Sequence, residues 1–531
     1  MKADLTRRSF DPLQHFSRVV MQQGRVQLDA DWNEQADILL HLIRRLAAAT
    51  FGPAGSADGG FMPALLAGVT GDVELAPGSC YVDGILCELE ATPVPVTSWS
   101  GKTIVVQRWT VDAAGWQANQ HVRLSFDASG SASASAPLVA AIVSADYATL
   151  TLTLDIDLST LTDIGAMRVQ RVLTYLTQPD LPAPPPLPAA PPFQFYLDVW
   201  ERLATPIEAP SIREVALNGA DTADRTRVVC QVKWMQPGEN WDRKTCLTPA
   251  QIAAGLNAGN RGLLRARTGQ AQTPTDPCTA SPNAGYRGVE NQLYRVEINT
   301  GSNDASGHAP SFKWSRDNGS VVFPVLGVSV SGATTTVRLA NLGRDERFGI
   351  AEGDYVEIQD DATVLNQLPG QMLQVQSIDT GSQSVVLAGA LASSVGSQPQ
   401  LHPLMRRWDY AAGDPAQGGL TLGPDGAASI QTGTLSGGDG AWLTLEDGVE
   451  ILFEAAGNVT WRSGDYWLIP ARVALGDVIW PQETVVDAQG NSVTNPVARP
   501  PDGVTHHYAP LAIETGNTKT PFTVCMAAKT P

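Results

Sequence analysis

The chain has 531 residues, a net charge of −18, only 17% charged residues, and 49 glycines and 37 prolines. At roughly 150 residues per domain, that length allows about three or four domains, each able to bury a core without staples. Sparse charge, many turn formers and short Val/Leu/Ile runs indicate a mainly β protein, and so acidic a surface repels phosphate backbones and anionic lipid, which sets nucleic acid aside as a partner.

Met1 to His15 is polar and lacks the hydrophobic stretch of a secretion signal, and no run approaches the ~20 apolar residues of a membrane span. Assembly in the cytoplasm without membrane insertion is therefore expected, with any exit from the cell by lysis. Met21 to Gly24, followed by Val26 and Leu28, reads as a short strand turning into a helix. Asp31 is placed to cap that helix, with Glu34 three residues on as in a capping box, and Gly52-Pro53 stops it. Trp32, Ala36, Leu39, Ile43, Leu46 and Thr50 recur at alternating spacings of four and three, an apolar stripe on a helix of about 20 residues. Leu40, Leu42 and Ala47 widen it. Such a helix either packs within its own domain or docks on other subunits. The second reading makes Met21, Val26, Leu28, Trp32, Ala36, Leu39, Ile43 and Leu46 a candidate assembly interface.

From about Phe61 to Leu176 the pattern is of strands. In CYVDGILC, Asp83-Gly84 is a strong two-residue hairpin turn, so Cys80 faces Cys87 across the pair. Their sulfurs lie within disulfide reach, the alternative being two reduced core cysteines. Cys246 and Cys278 sit in loop-like sequence and form a second possible pair. A low-complexity SASASA tip interrupts the strands near residue 133, and residues 179–192 hold eight prolines, a polyproline-like linker. Beyond it lie strands at 193–203, 227–235, 290–299 and 311–325, a short helix near PAQIAAGL, and a tight hairpin at Asn318-Gly319. Residues 122–154 are echoed by 356–387: Val122 matches Val356, Ser144 Ser377 and Asp146 Asp379 at a near-constant offset. Both read as strand, loop, strand, Ser-x-Asp turn, strand, and so as two related small barrels or sandwiches. GDYVEI at 353 recurs as GDYWLI at 464, which hints at a third module. The expected order is an anchor over 1–60, a first β domain over 61–178, the linker, and a central β domain over 193–340. A small module over 341–400, related to 116–155, and a C-terminal β domain over 401–531 complete it.

No motif assembles a nucleophile, a phosphate loop or a zinc site, and no cofactor is expected. His506-His507 is an adjacent pair whose rings point to opposite faces of a strand. Asp360-Asp361, Glu290 and Asp317 are the carboxylates a glycan-cleaving enzyme would draw on, although turns explain each equally well. Among the 13 tryptophans, Trp200, Trp234, Trp314, Trp467 and Trp480 alternate with aliphatic neighbours as core residues do, rather than as a sugar-stacking face.

HFSRVVMQQGRVQLDADWNEQADI (15–38), FYLDVWER (195–202), ENQLYRVEI (290–298), FKWSRDNGSVVFPV (312–325), LEDGVEILF (445–453), GDYWLIPAR (464–472) and PDGVTHHYAPLA (501–512) resemble an uncharacterised family found with phage-tail-like and extracellular contractile injection systems. APGSCYVDG (76–84) is similar to hairpins of tail-fibre and baseplate domains. The resemblance implies a non-enzymatic structural subunit at or near the baseplate, peripheral, cage-like or fibre-linked. It also implies contact with other tail and baseplate subunits and a threefold or sixfold homo-oligomer. A tail-fibre-like adhesin for surface glycan is the alternative, and a glycan-cleaving tail enzyme a further one.

Overall fold

The computed structural model describes the chain except for residues 108–114, 128–136, 162–164, 237, 239–240, 257–260, 270–284, 303–306, 393, 411–412, 414–418, 424, 436–441, 456, 487–489, 491, 518 and 527–531. Cys278 and the SASASA tip lie outside the described residues. The fold is mainly β, with many small antiparallel sheets, two closed barrels and one long helix near the N-terminus. The chain divides into two compact units, each assembled from separated stretches: residues 1–40, 201–227 and 258–505, and residues 41–200, 228–257 and 506–531. The expected succession of domains along the chain is thus replaced by interleaving, because strands far apart in sequence share sheets.

The unit containing residues 41–200 is built on the sheet order Arg225–Met235, Phe193–Ala204, His507–Glu514, Phe522–Val524. Phe193 to Trp200 is buried on both faces, which explains a run apolar at nearly every position rather than alternating. The Asp83-Gly84 turn forms as expected, with both residues at positive φ, and Cys80 stands directly opposite Cys87. No disulfide joins them. Both are buried thiols beside Cys230, and hydrogen bonding to Cys230 and Cys80, with burial, pushes the Cys87 thiol up. The bonded pair is instead Cys246–Cys525. The proline-rich stretch is not a free spacer. Leu181 is buried, the Asp180 carboxylate accepts the Cys230 N–H at 2.9 Å, and Pro185 O accepts from Tyr175 Oη at 2.8 Å. A segment poor in N–H donors packs here by offering its acceptors to the strand at Cys230 and to Tyr175.

The same unit holds the first barrel, six strands at Val94–Ser100, Thr103–Val106, His121–Phe126, Leu138–Asp146, Thr151–Leu154 and Met167–Val172. The other unit holds the second barrel, six strands at Val322–Ser331, Thr334–Leu339, Tyr355–Gln359, Met372–Asp379, Ser384–Ala388 and Leu404–Trp408. Around each ring the order is first, second, fifth, fourth, third, sixth. The likeness reaches single residues. The first strand bulges against the second between Val96 and Ser98, and between Val325 and Gly327. The fourth bulges against the fifth at Val143 and at Gln376, one residue before Ser144 and Ser377. Asp146 and Asp379 close the fourth-to-fifth turn alike, each accepting from the N–H two residues on, at 2.9 Å, and from the hydroxyl three residues on. Shared ring order, bulges and turn identify the echo in sequence as a duplicated barrel.

GDYWLI does not open a third barrel. It begins the strand Tyr466–Arg472 of an open sheet ordered Ala428–Ser429, Ser311–Ser315, Gln292–Ile298, Tyr466–Arg472, Asp477–Val478. Asn318-Gly319 is a turn with both residues at positive φ, yet it joins this sheet to the second barrel instead of closing a hairpin. One face of the sheet carries Tyr294, Val296, Ile298, Phe312 and Trp314 into the core. The other carries Arg295, Glu297 and Lys313, and it too is buried. Glu297 lies opposite Lys313 in the ladder and binds Lys2 at 2.9 Å and Arg295 at 2.6 Å. Lys313 in turn binds Glu357 at 2.8 Å. The N-terminal residues complete this layer: Asn318 Nδ2 donates to Met1 O and Ala3 O, and burial pushes Lys2 down to about 8 against the pull of Glu297.

Candidate assembly interface

The long helix, α1, spans Asp29–Phe51 and starts two residues before the expected cap. Asp29, not Asp31, takes up the preceding chain, accepting the Thr6 N–H at 3.0 Å and its hydroxyl at 2.7 Å. Glu34 accepts from Ser9 at 2.6 Å instead of closing a capping box, and Gln35 accepts the Val19 N–H at 2.9 Å. At the other end Gly52, at positive φ, ends the helix as expected, its N–H reaching Ala48 O at 2.9 Å. Phe51 stacks on Tyr81 at 4.4 Å.

The hairpin turn seats the second half of α1. A Cβ on Gly84 would stand 2.0 Å from Arg44 O, and Gly84 has φ +80°, so helix backbone rests on a position only glycine fills. Gly84→Ala is expected to cost about 2 kcal/mol or more, through steric overlap and left-handed strain together. Limited trypsinolysis should then cut at Arg44 and Arg45 at least tenfold faster than in the wild type. An unchanged rate would show that the turn does not hold the helix.

The opposite side of α1 is uncovered. At about 100° per residue, Trp32, Ala36, Leu39, Ile43 and Leu46 fall within an arc of roughly 80°, and Leu40 and Leu42 extend it to roughly 160°. All seven are exposed, Trp32 at 65% and Leu46 at 70%, whereas Ala30 and Ile38, on the far side of the helix, are buried. Met21, Val26 and Leu28 are exposed as well, as are Phe16 and Val20. Every residue of the candidate interface therefore sits at the surface. More than a third of the exposed large apolar side chains of the described residues fall between Leu13 and Leu46. A patch of this density is larger than the scattered exposed apolar residues of an ordinary surface. The expected strand at 21–28 does not form. The segment makes a turn, Arg25 N–H to Gln22 O at 3.3 Å, and pairs with no strand among the described residues.

The residues nominated for chemistry scatter. Asp360 caps a short helix through the Thr363 N–H and hydroxyl, and Asp361 binds His402 at 2.7 Å. His506 binds Asp198 at 2.6 Å and His507 binds Asp83 at 2.8 Å, so the two rings serve separate contacts. No group of three metal-binding side chains occurs among the described residues. Trp200, Trp314, Trp467 and Trp480 are core, Trp234 is half-buried, and Trp32 and Trp99 are the exposed tryptophans among those described. Only Glu290 and Asp317 come together, bridged by Arg347. Nearby, Arg316 binds Glu446 at 2.7 Å and also faces Asp409. Burial, with Asp409 adding to it, pushes Asp317 up to about 6. Burial pushes Glu446 up to about 7 although Arg316 opposes it.

Glu446 and Arg316 fall within the segments 445–453 and 312–325 that carry the resemblance, but no catalytic or ligand motif singles them out. A carboxyl raised by folding holds a proton that the unfolded chain has released, so its contribution to stability fades as pH climbs from about 4.5 through about 7. Glu446→Gln removes that loss. Relative to wild type, the variant should gain on the order of 2 kcal/mol between pH 5 and pH 8, read as a difference in melting temperature at the two pH values. A difference independent of pH would place the Glu446 carboxyl near its ordinary value.

A family profile matches residues 1–105, 188–251 and 242–526, and it is described as a family of unknown function (DUF6519). The unmatched stretch, 106–187, carries the last four strands of the first barrel, whereas the second barrel is matched throughout. No curated protein and no solved structure matches the chain.

Proposed function

We propose that this chain, which belongs to the DUF6519 family, is a non-enzymatic structural subunit of a phage-tail-like contractile injection particle, held at or near the baseplate through α1. The observation that carries this reading is the exposed stripe from Trp32 to Leu46 on a helix that Gly84, Phe51 and Asp29 hold to its own chain. A monomer gains nothing by holding such a face in water, and a subunit buries it against neighbours. The resemblance of segments 15–38, 195–202 and 312–325 supplies the system. It also supplies the partners, other tail and baseplate subunits and further copies in a threefold or sixfold set, and assembly in the cytoplasm with release by lysis. No helix among the described residues is long and apolar enough to cross a membrane. A glycan-binding role would call for aromatic faces on the β modules, and the described tryptophans there are mostly core.

The test is to isolate the particles from the native cell and ask whether this chain travels with sheath and tube. Deleting residues 1–55 is a poor probe of the helix, because it also strips Lys2 from Glu297. Single substitutions on the exposed face avoid that. A wild-type chain that never co-purifies with the particle removes the structural reading.

A further inference from the structure

We infer that α1 pairs with the α1 of a second copy of this chain, running antiparallel about a twofold axis near His41. This rests on the reading of the exposed face as an assembly surface, and names its occupant. From Trp32 to Thr50 the stripe steps by four and three in turn, an average of 3.6 residues, which keeps it on one face of a straight helix where a second helix can lie along it. Charge then chooses the direction. The acids of α1, Asp29, Asp31, Glu34 and Asp37, all lie in its first half, and its arginines, Arg44 and Arg45, both lie in its second. Glu34, Asp37, Arg44 and Arg45 lie 120° or more round the helix from Trp32, so they act as charged halves and not as facing pairs: a parallel pair brings the two acidic halves together in a chain already at −18, whereas an antiparallel pair brings each half alongside its complement and also opposes the helix dipoles.

Packing agrees with that direction. With residue numbers of facing positions adding to 82, Trp32 meets Thr50, Ala36 meets Leu46 and Leu39 meets Ile43 of the other copy, each layer repeated on both sides of the axis. The two layers away from the axis set a large side chain against a smaller one, Trp on Thr and Leu on Ala, as close packing of two helices requires. Leu40 and Leu42 flank the axis and meet their own counterparts, so no charge enters the seam. The contact is isologous and closes at two copies. Six copies would form three such pairs related by a threefold axis.

The experiment uses full-length chains carrying Ala36→Cys or Leu46→Cys, oxidised alone and as an equimolar mixture, with wild type as the control for native thiols. In the antiparallel pair, position 36 lies about 15 Å along the axis from its own counterpart and beside 46 of the other copy. The mixture should give a covalent dimer in most of the mixed pairs, and either variant alone only the wild-type background. Adding Ile43→Glu should abolish the crosslink. Self-crosslinking of the single variants would overturn the inference in favour of a parallel bundle. No crosslink in any sample would also overturn it. If Ile43→Glu still released the chain from particles in that last case, the helix would belong to a different subunit and the assembly reading would survive. If it did not, both would fall.

Discussion

Lys313→Met is expected to destabilise the unit containing residues 258–505 by about 3–5 kcal/mol, a fall of roughly 6–15 °C in its melting transition. Lys313 and Glu357 are buried to 3% and 0% side-chain exposure and meet at 2.8 Å. Water cannot reach the carboxylate when its cation is removed. Trp408 Nε1 and Gln359 Nε2 still donate to Glu357 at 3.0 Å each, but neither carries charge. Glu297 loses a second cation as well, 3.7 Å away, and keeps Lys2 and Arg295. The fold holds the Glu357 carboxyl below its ordinary value despite burial, chiefly through Lys313 and then Lys2. Without Lys313 that value rises, so the variant recovers stability by protonating Glu357, and the deficit should narrow as pH falls from 7 towards 5. Lys313→Met combined with Glu357→Gln, which removes the stranded charge and keeps an acceptor for Trp408, should restore more than half of the loss. A single variant within about 1 kcal/mol of wild type, or a double variant no better than the single, would show that this pair does not hold the layer together.

That layer marks where the sequence stops being legible. The alternation in ENQLYRVEI reads as one core face and one solvent face, because Arg295 and Glu297 occupy every second position. Nothing local says that Lys2, some 290 residues earlier, will cover them. Local chemistry was readable where local chemistry decides. Asp83-Gly84 adopts the positive φ values its turn needs, and the register that follows sets Cys80 against Cys87. The oxidation state of that pair was not readable, since it depends on Cys230 from another strand of the sheet region and on burial. The duplicated barrel shows both sides of this limit. Its third to fifth strands are contiguous and share a Ser-x-Asp turn, so they echo visibly. Its first and last strands close the ring by pairing Val94 with Val169, or Pro324 with Leu404, over separations that no periodicity reveals. Asn318-Gly319 was legible as a turn and illegible in what it joins. In α1 the stripe was plain, and whether the chain itself covers it was not: the same spacing suits a core helix and a docking helix.

Placing a glutamate at Leu39 or Ile43 should leave the fold intact and abolish assembly through α1. Both side chains are more than half exposed and lean on little of their own chain, so the melting temperature should stay within about 2 °C of wild type. In an assembled face the same carboxylates would be driven into a dry seam with no cation to meet them. The cost of burying an unpaired charge exceeds what a contact of this size gains, so association should weaken by roughly 100-fold or more. Val215→Glu, equally apolar and 86% exposed but outside the 13–46 segment, serves as the control and should change nothing. Co-purification with the particle, sedimentation of the isolated chain and melting temperature together separate the possible causes. Loss of association with an unchanged melting temperature assigns the face to assembly. Loss of both would mean that the helix was part of the core after all. Retention of both would mean that the stripe, however exposed, is not where this protein meets its neighbours, and the search would move to the hairpin Gln482–Val486 and Ser492–Pro496, where Val485, Val486 and Val493 are also exposed.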